Sequence, residues 1–293
     1  MDNWDEIRTA FQVARLGTVS GAADVLGVHH ATVIRHIDAL ESRLGVKLFQ
    51  RHARGYTATE AGGDLLQVAQ ATDDQFTQLV GRIKGRGQGI GGELVVTSLA
   101  HMSPILTPVL ADFQREHPGL VIRFLTGERL FRLEYGEAHV AIRAGAVPEQ
   151  PDNVAQPFFK AGVRLVASAD YITRSGMPKD EADLARHVYV GRDTMDARPP
   201  FIRWILARVP ETQFTFRSDD NVPLMEAVLA GAGIGYMMDW EFKAYPGLVE
   251  VWPMQDEWTV PWWLVTHVDL HRTAKVQAFL SFLKERAKGW TCD

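Results

Sequence analysis

Residues 18–45, TVSGAADVLGVHHATVIRHIDALESRLG, constrain the fold most, because their pattern predicts two short helices joined by a tight turn. Ser20 is a suitable N-cap for the first helix, and Gly27 supplies the positive φ angle that ends it. The second helix is expected from about His30 to Arg43, with apolar residues every three or four positions. This spacing predicts one buried stripe, formed by Val33, Ile37, Leu40 and Leu44.

The opposite face of the second helix is expected to be exposed. Small alanines let two helices cross closely, and an outward face with Arg and His at its N-terminal end suits a DNA major groove. The motif is therefore interpreted as a helix-turn-helix. The candidate DNA contacts on this helix are His29, His30, Ala31, Thr32, Ile34 and Arg35.

Two of these residues carry specific hypotheses. Arg35 is expected to contact a base or a phosphate, near a helix N-terminus that itself favours phosphate. The alternative for Arg35 is a solvated ion pair with Asp38 or Glu41. Ile34 is expected to pack against a thymine methyl group, and the alternative is that it flanks the domain core.

Elements on either side complete a predicted DNA-binding domain. A hairpin is predicted over Val46–Thr59, with a basic, glycine-bearing tip at residues 50–55. Such a tip is typical of a wing, in which Arg51 and Arg54 contact phosphates, and a solvated surface turn is the alternative. An opening helix, about residues 4–16, is expected to place four side chains in the core: Trp4, Ile7, Phe11 and Ala14.

A long helix is predicted from Thr59 to about Lys84. Its apolar positions alternate spacings of four and three, which is a heptad seam. A helix of roughly 35–40 Å with no domain of its own to pack on buries such a seam most simply against a second copy. The alternative is packing on its own DNA-binding domain. The expected dimer seam is Leu65, Ala69, Thr72, Phe76, Leu79 and Ile83.

Residues 85–92 contain the spacing G-x-G-x-x-G but follow a helix and precede a strand, so they indicate a hinge and not a dinucleotide site. Beyond them, strands alternate with helices in two successive units, which predicts two parallel-sheet subdomains around a cleft. The expected domains are a winged helix-turn-helix (1–60), a linker helix and hinge (61–90) and a two-lobed α/β domain (91–293). The expected subdomains of the last are residues 91–160 with 268–293, and residues 161–267.

Composition narrows the class of protein. The 293 residues suit about two domains, and the single cysteine, Cys292, excludes an intramolecular disulfide. The N-terminus lacks the basic and apolar regions of a signal peptide, and no apolar run reaches the ~18 residues of a membrane span. The expected compartment is therefore the cytoplasm, without a membrane partner. Although the net charge is −5, residues 29–54 hold five Lys or Arg against two acids, as phosphate binding requires.

The chain resembles the LysR-type transcriptional regulators along its whole length, most specifically over the first 62 residues. The resemblance rests on short runs that include Phe11-Gln12-Val13-Ala14, Ala22-Ala23, Leu40-Glu41, Leu48-Phe49 and Thr59-Glu60-Ala61-Gly62. The segments GEAHVAIRAG (136–145) and AVLAGAGIGYM (227–237) also fit this family. The chain departs from the usual pattern at His29-His30, where Ser-Gln is common, at Ile34, where Ser or Thr is common, and at His139, where Asp is common.

This resemblance implies a C-terminal domain similar in shape to periplasmic solute-binding proteins. It also implies particular partners: a double-stranded DNA operator, a small-molecule effector, a second copy in a dimer or tetramer, and RNA polymerase if the protein is an activator. No cofactor and no metal are expected.

The effector is expected in the crevice at strand ends and helix N-termini. Hydroxyl groups of Ser98 and Thr126, free N–H groups and the cation of Arg143 suit a small carboxylate with an apolar body over Phe201. The alternative for Arg143 is an ion pair with Glu128 or Glu137. The expected effector contacts are Ser98, Leu99, Ala100, His101, Thr126, Gly127, Arg143, Pro200, Phe201, Asn221 and Val222.

One alternative function is a passive DNA-bridging protein that senses nothing, and the other is an enzymatic domain fused to a DNA-binding module. Against it, the sequence contains no G-x-S-x-G, H-E-x-x-H or P-loop motif, and no catalytic residue is assigned. Ser98 and His101 form the only suggestive nucleophile–base pair, and it lacks an evident orienting carboxylate. Four tryptophans that would suit a ligand cage are expected instead in the core or a subunit interface: Trp252, Trp258, Trp262 and Trp263.

Overall fold

The computed structural model describes residues 4–52, 55–83, 90–127, 129–194 and 198–290. Side chains are further restricted, since those of residues 71, 74, 75, 77–83 and 135 are not described. Several sequence predictions therefore lie outside the described residues: the phosphate contact of Arg54, the side chains of Leu79 and Ile83, the Glu128 alternative, Cys292 and residues 85–89 of the hinge.

The N-terminal unit is three helices and a hairpin around one core. Its elements are α1 (Trp4–Leu16), α2 (Val19–Leu26), α3 (His30–Leu44), β1 (Phe49–His52) and β2 (Gly55–Ala58). Gly27 ends α2 with a φ of 67°, as predicted, and β1 pairs antiparallel with β2. The core residues of this unit include Ala10, Val13, Ala22, Val33, Ile37, Leu40, Leu48 and Phe49.

Three local predictions for this unit are wrong. Thr18, not Ser20, caps α2, because its hydroxyl accepts a hydrogen bond from the Gly21 N–H at 3.1 Å. Leu44 is 44% exposed. The buried residue that follows Leu40 on the core face of α3 is Glu41. Trp4 is 62% exposed, because α1 begins there, past the edge of the core.

The linker helix α4 (Glu60–Ile83) packs on two parts of its own chain. Gly62 has no room for a Cβ atom beside the Leu48 carbonyl, so a glycine lets α4 cross β1 closely, and Leu65 joins the core of the N-terminal unit. Further along, Leu66 and Gln70 lie beside Gly136 of the C-terminal domain. The expectation that this helix has no domain of its own to pack on is therefore wrong.

The C-terminal domain is a mixed α/β structure. Its strands are β3 (Gly92–Ser98), β4 (Leu120–Thr126), β5 (Val140–Ala144), β6 (Asn153–Ser168), β7 (Tyr189–Arg192), β8 (Phe214–Ser218), β9 (Gly235–Met238), β10 (Leu248–Trp252) and β11 (Thr259–His267). Its helices are α5 (Ser103–Glu116), α6 (Ala169–Ser175), α7 (Glu181–Leu184), α8 (Pro200–Leu206), α9 (Asn221–Leu229), α10 (Asp239–Ala244), α11 (Val268–His271) and α12 (Ala274–Arg286).

Two lobes share the long strand β6. In the first lobe, β4, β3 and β5 are parallel, and β11 runs antiparallel between β5 and the first half of β6. Helices α5 and α12 pack on this sheet around Phe113 and Phe279. In the second lobe, the second half of β6 lies between β9 and β10, and a separate parallel pair, β7 and β8, contacts Ile234.

The strand–helix alternation predicted the two lobes but not the direction of every strand. The sheets are not purely parallel, because β6 and β11 cross between the lobes antiparallel to their neighbours. Residues 259–267, assigned from sequence to the second subdomain, pair with β5 of the first. Among the described residues, no helix has both the length and the apolar character that a membrane span requires.

Candidate functional site: nucleic-acid interface and ligand cavities

The outer face of α3 is exposed as predicted. His29, His30, Ala31 and Arg35 are exposed, and Thr32 is half-buried. Ile34 is 38% exposed, which places it on the surface and outside the core cluster of this unit. The base contacts themselves remain predictions, while the geometry required for them is present.

Arg51 connects the hairpin to the recognition helix. Its Nη2 donates to Asp38 Oδ1 at 2.5 Å and to Glu41 Oε2 at 3.3 Å, and its guanidinium lies 5.4 Å from the ring centre of Tyr56. The hydrogen bond to Asp38 raises the pKa of Arg51. Any phosphate contact by Arg51 therefore uses a guanidinium that already holds the two elements together.

These pairings also bear on Arg35. The two acids named as its alternative partners, Asp38 and Glu41, are both engaged by Arg51. Within the described part of the chain, Arg35 makes no ion pair, so its charge is directed to solvent. This arrangement favours the DNA-contact hypothesis over the ion-pair alternative.

Glu41 is a structural residue that sequence reasoning did not identify. Its buried carboxylate accepts hydrogen bonds from the Leu48 N–H at 2.9 Å, the Phe49 N–H at 3.2 Å and Lys47 Nζ at 2.7 Å. Burial alone raises its pKa, but these hydrogen bonds outweigh burial and hold the pKa below its ordinary value. The sequence feature that could have identified Glu41 is its position next to Leu40, which belongs to the predicted buried stripe of α3.

The predicted effector contacts divide between two cavities. The first, about 500 Å³, is lined by Ser98, Gly127 and Arg143 among others, and the second, about 630 Å³, by His101, Phe201 and Asn221 among others. Arg143 and Phe201 therefore do not line the same cavity, contrary to expectation. Leu99 lines both cavities, whereas four predicted contacts line neither: Ala100, Thr126, Pro200 and Val222.

Arg143 is half-buried in the first cavity. Its Nη2 donates to the Phe131 carbonyl at 2.8 Å, and burial lowers its pKa. Glu137, one of its alternative partners, instead accepts a hydrogen bond from Arg129 at 2.8 Å. The N–H of Gly127 donates to the Ser98 carbonyl at 3.2 Å and is therefore not free for an anion.

In the second cavity, a hydrogen bond joins the two lobes. His101 Nδ1 lies 3.2 Å from Asn221 Nδ2, and the Asn221 Oδ1 accepts from Arg192 at 3.3 Å. Asp220 caps α9 by accepting from the Val222 N–H at 2.8 Å. The Asn221 side chain is thereby released to reach the first lobe.

Sequence reasoning missed five polar residues of the second cavity: Arg192, Thr194, Arg198, Tyr236 and Glu241. The Tyr236 hydroxyl donates to the Phe201 carbonyl at 2.8 Å. Glu241 is 8% exposed, and its Oε2 accepts from the Met238 N–H at 2.8 Å. Burial raises the pKa of Glu241 to about 7. No spacing pattern marks these residues, because they come from separate loops and elements.

Local contacts also show the surroundings of the Ser98–His101 pair and of the tryptophans considered for a ligand cage. The Ser98 hydroxyl donates to the Ile142 carbonyl at 3.2 Å, while the His101 ring faces Asn221 and stacks on Trp240, with centroids 6.0 Å apart. Neither contact prepares a nucleophile. Trp258 and Trp262 are fully buried, which confirms them as core residues.

Comparisons with known families agree with this architecture. Residues 4–63 match the family described as bacterial regulatory helix-turn-helix protein, lysR family, and residues 87–288 match the LysR substrate binding domain. The fold and its surfaces thus define a DNA-binding regulator with an effector-binding domain. Because these two matches together cover most of the chain, it belongs to the LysR family of bacterial transcriptional regulators.

Individual relatives show the same organisation. The transcriptional regulator CrgA of Neisseria meningitidis serogroup B is 25% identical over 303 residues, covering 99% of each chain. The transcriptional activator IlvY of Salmonella typhimurium is 27% identical over 239 residues, covering 79% of this chain and 81% of its own. The solved structure of ArgP from Mycobacterium tuberculosis has a TM-score of 0.76 at 18% identity, with 99% of each chain covered.

Proposed function

We propose that this regulator responds to a small anion, most simply a carboxylate, bound in the first cavity. The observation that carries this proposal is the charge of the cavity wall: three arginines line it, and no described lining residue is acidic. Those arginines are Arg129, Arg143 and Arg198. Arg143 is the most enclosed of them, so its interaction with an anion is the least weakened by water.

Thermal-shift screening of small carboxylates, each paired with its neutral amide, tests the anion. Carboxylates should stabilise the wild type, and Arg143→Ala should lose most of that stabilisation. Arg115→Ala, which removes an exposed arginine paired with Asp112 on α5, is the matched control. Stabilisation by amides alone, or by acids equally in the wild type and Arg143→Ala, would exclude the proposed site.

We further propose that the protein acts in the cytoplasm on duplex DNA as a dimer, with one α3 helix from each copy in successive major grooves. Pairing of dimers into tetramers and contact with RNA polymerase belong to the same proposal. The exposed face of α3 and the uncommitted charge of Arg35 support it.

Operator titrations test the DNA contact. Arg35→Ala should weaken operator binding by about 1–3 kcal/mol if the guanidinium reads a base. Arg186→Ala, which removes an exposed arginine of the C-terminal domain paired with Asp183, should leave affinity unchanged and serves as the control. Equal operator affinity of Arg35→Ala and wild type would remove Arg35 from the interface.

A further inference from the structure

Glu241 is an acid enclosed in the wall of the second cavity. It lies in the first turn of α10, and its Oε2 accepts a hydrogen bond from the Met238 N–H. Within the described residues, no cation pairs with this carboxyl group. A buried carboxylate without a cationic partner is unfavourable, and burial accordingly raises the pKa of Glu241 to about 7.

Helix capping does not explain why this residue is an acid. The cap uses one side-chain oxygen, and a glutamine would supply the same acceptor without a charge to desolvate. Glutamate differs from glutamine in its charge, which interacts favourably with the N-terminus of α10 and can also face a cation in the cavity. Among the residues that the structure describes, no cation is paired with Glu241, so a ligand can supply one.

The second cavity also contains cationic side chains that can bind an anion. Arg192 and Arg198 line it together with Glu241, and Arg198 also lines the first cavity, so the two cavities adjoin in one cleft. Between these polar groups, the lining residues are largely apolar and include Phe201, Ile202 and Met225. The cleft formed by the two adjoining cavities therefore offers one small molecule an anion site at Arg198, which borders both cavities, a cation site at Glu241 and an apolar surface.

We propose that the effector is a zwitterion of the α-amino-acid class, with its protonated amine against Glu241, its carboxylate toward Arg198 and its side chain on the apolar wall. This inference rests on the proposed function and narrows the carboxylate to one that carries an amine. An acid that lacks the amine leaves the Glu241 carboxylate without a partner in the closed cleft.

The test compares the standard amino acids with their 2-hydroxy-acid counterparts, which replace only the amine. At least one amino acid should stabilise the full-length protein in thermal shift and calorimetry. Its hydroxy acid should bind about tenfold more weakly or worse, as expected for loss of a charge-assisted hydrogen bond. Glu241→Gln, which keeps the cap, should abolish that preference, and Glu257→Gln, an exposed acid of the same lobe, should preserve it.

The outcomes separate this inference from the proposed function. Binding of hydroxy acids or other carboxylates as tightly as amino acids, or a preference that survives in Glu241→Gln, overturns the zwitterion while leaving the anion site intact. Failure of every amino acid in the series also overturns it. Failure of all acids, with neutral compounds stabilising the protein, overturns the proposed anion site as well.

Discussion

Glu41 holds the recognition helix and the hairpin in a fixed relation. One carboxylate accepts two backbone N–H groups at the start of β1 and also contacts Lys47 and Arg51, so three segments converge on it. A buried carboxylate is tolerated here because its hydrogen bonds replace those it loses with water. The orientation of the wing relative to α3 therefore depends on a residue that does not itself face DNA.

Glu41→Gln should loosen this junction. The amide supplies only one acceptor oxygen and no charge, so we expect about 1–3 kcal/mol of local destabilisation at pH 7. Because the folded pKa lies below its ordinary value, the stabilisation is present above pH 4.5 and is lost as the pH falls below that value. Hydrogen exchange of the Leu48 and Phe49 amides measures the effect, with Asp24→Asn as an exposed control. Equal protection in the wild type and Glu41→Gln would contradict this role.

For Glu241 we predict the opposite dependence of folding stability on pH. Its folded pKa of about 7 lies above its ordinary value of 4.5, so the folded state retains a proton that the unfolded chain loses. The stability of the ligand-free protein should fall between pH 4.5 and 7, by at most about 3 kcal/mol. Glu241→Gln should remove this fall, so its melting temperature should exceed that of the wild type more at pH 8 than at pH 5. A difference independent of pH would show that Glu241 does not titrate in this range.

For individual residues, sequence patterns predicted solvent exposure better than they predicted ion-pair and hydrogen-bond partners. The period of α3 placed Ile34 and Arg35 outside and Ile37 inside, because helical geometry alone determines those directions. The partners of Arg51 could not be predicted, since they depend on how the hairpin folds back over α3. In the same way, the cavities that Arg143 and Phe201 line depend on how distant segments fold together, and the two residues were wrongly expected to share one.

Among the elements, α4 has two different faces. Leu65 packs into its own N-terminal core, and Gln67 faces the C-terminal domain, whereas Phe76 is 53% exposed. The ring of Phe76 contacts the exposed Trp4 of α1 edge-on, with centroids 6.4 Å apart. An exposed aromatic pair formed between α1 and the long helix α4 is the surface that a second copy would cover most favourably.

Phe76→Asp should therefore weaken dimerisation without unfolding the chain. Burying two carboxylates at a two-fold interface is unfavourable, and loss of the dimer removes the simultaneous engagement of two half-sites. Analytical ultracentrifugation and operator titration measure the two effects together. Val68→Asp, on another exposed position of α4, controls for the introduced charge. A dimer of undiminished DNA affinity in Phe76→Asp would place the interface elsewhere.

The heptad pattern of α4 predicted a helix of the observed length, but not the packing of its N-terminal half, because a seam does not specify its partner. The sequence pattern does not predict the first half of β6 as a strand, since Pro157 and Gly162 interrupt it. Long-range pairing with β11 stabilises that segment in spite of these residues.

Across the whole molecule, a few polar contacts join the DNA-binding unit and linker to the first lobe. Arg15 of α1 lies 3.7 Å from Glu93 at the start of β3. The amide nitrogen of Gln67 lies 2.8 Å from Asp269 Oδ2 and 3.0 Å from the His267 ring, where β11 ends. Because β11 also borders β6, which enters both lobes, a movement of the lobes can reach α4 along this strand.

Gln67→Glu should release this contact, because it places a second carboxylate beside Asp269. We expect a local loss of about 1 kcal/mol and faster hydrogen exchange in α4 and α11. Gln67→Lys restores an attractive partner for Asp269 and should retain most of the protection. Indistinguishable exchange in the two variants would indicate that Gln67 does not connect the domains.

The position of β11 also determines the order in which the protein can be assembled during synthesis. Strands β5 and β6 leave the ribosome one after the other, yet they are not neighbours, because β11 lies between them. The second lobe is one continuous stretch that begins with the second half of β6 and ends with β10. It can therefore form before β11 is made. Until Thr259 and the residues after it emerge, the first lobe exposes two facing strand edges that invite incorrect pairing. The interval between the emergence of β6 and that of β11 is therefore the one in which a chaperone would protect these two strand edges.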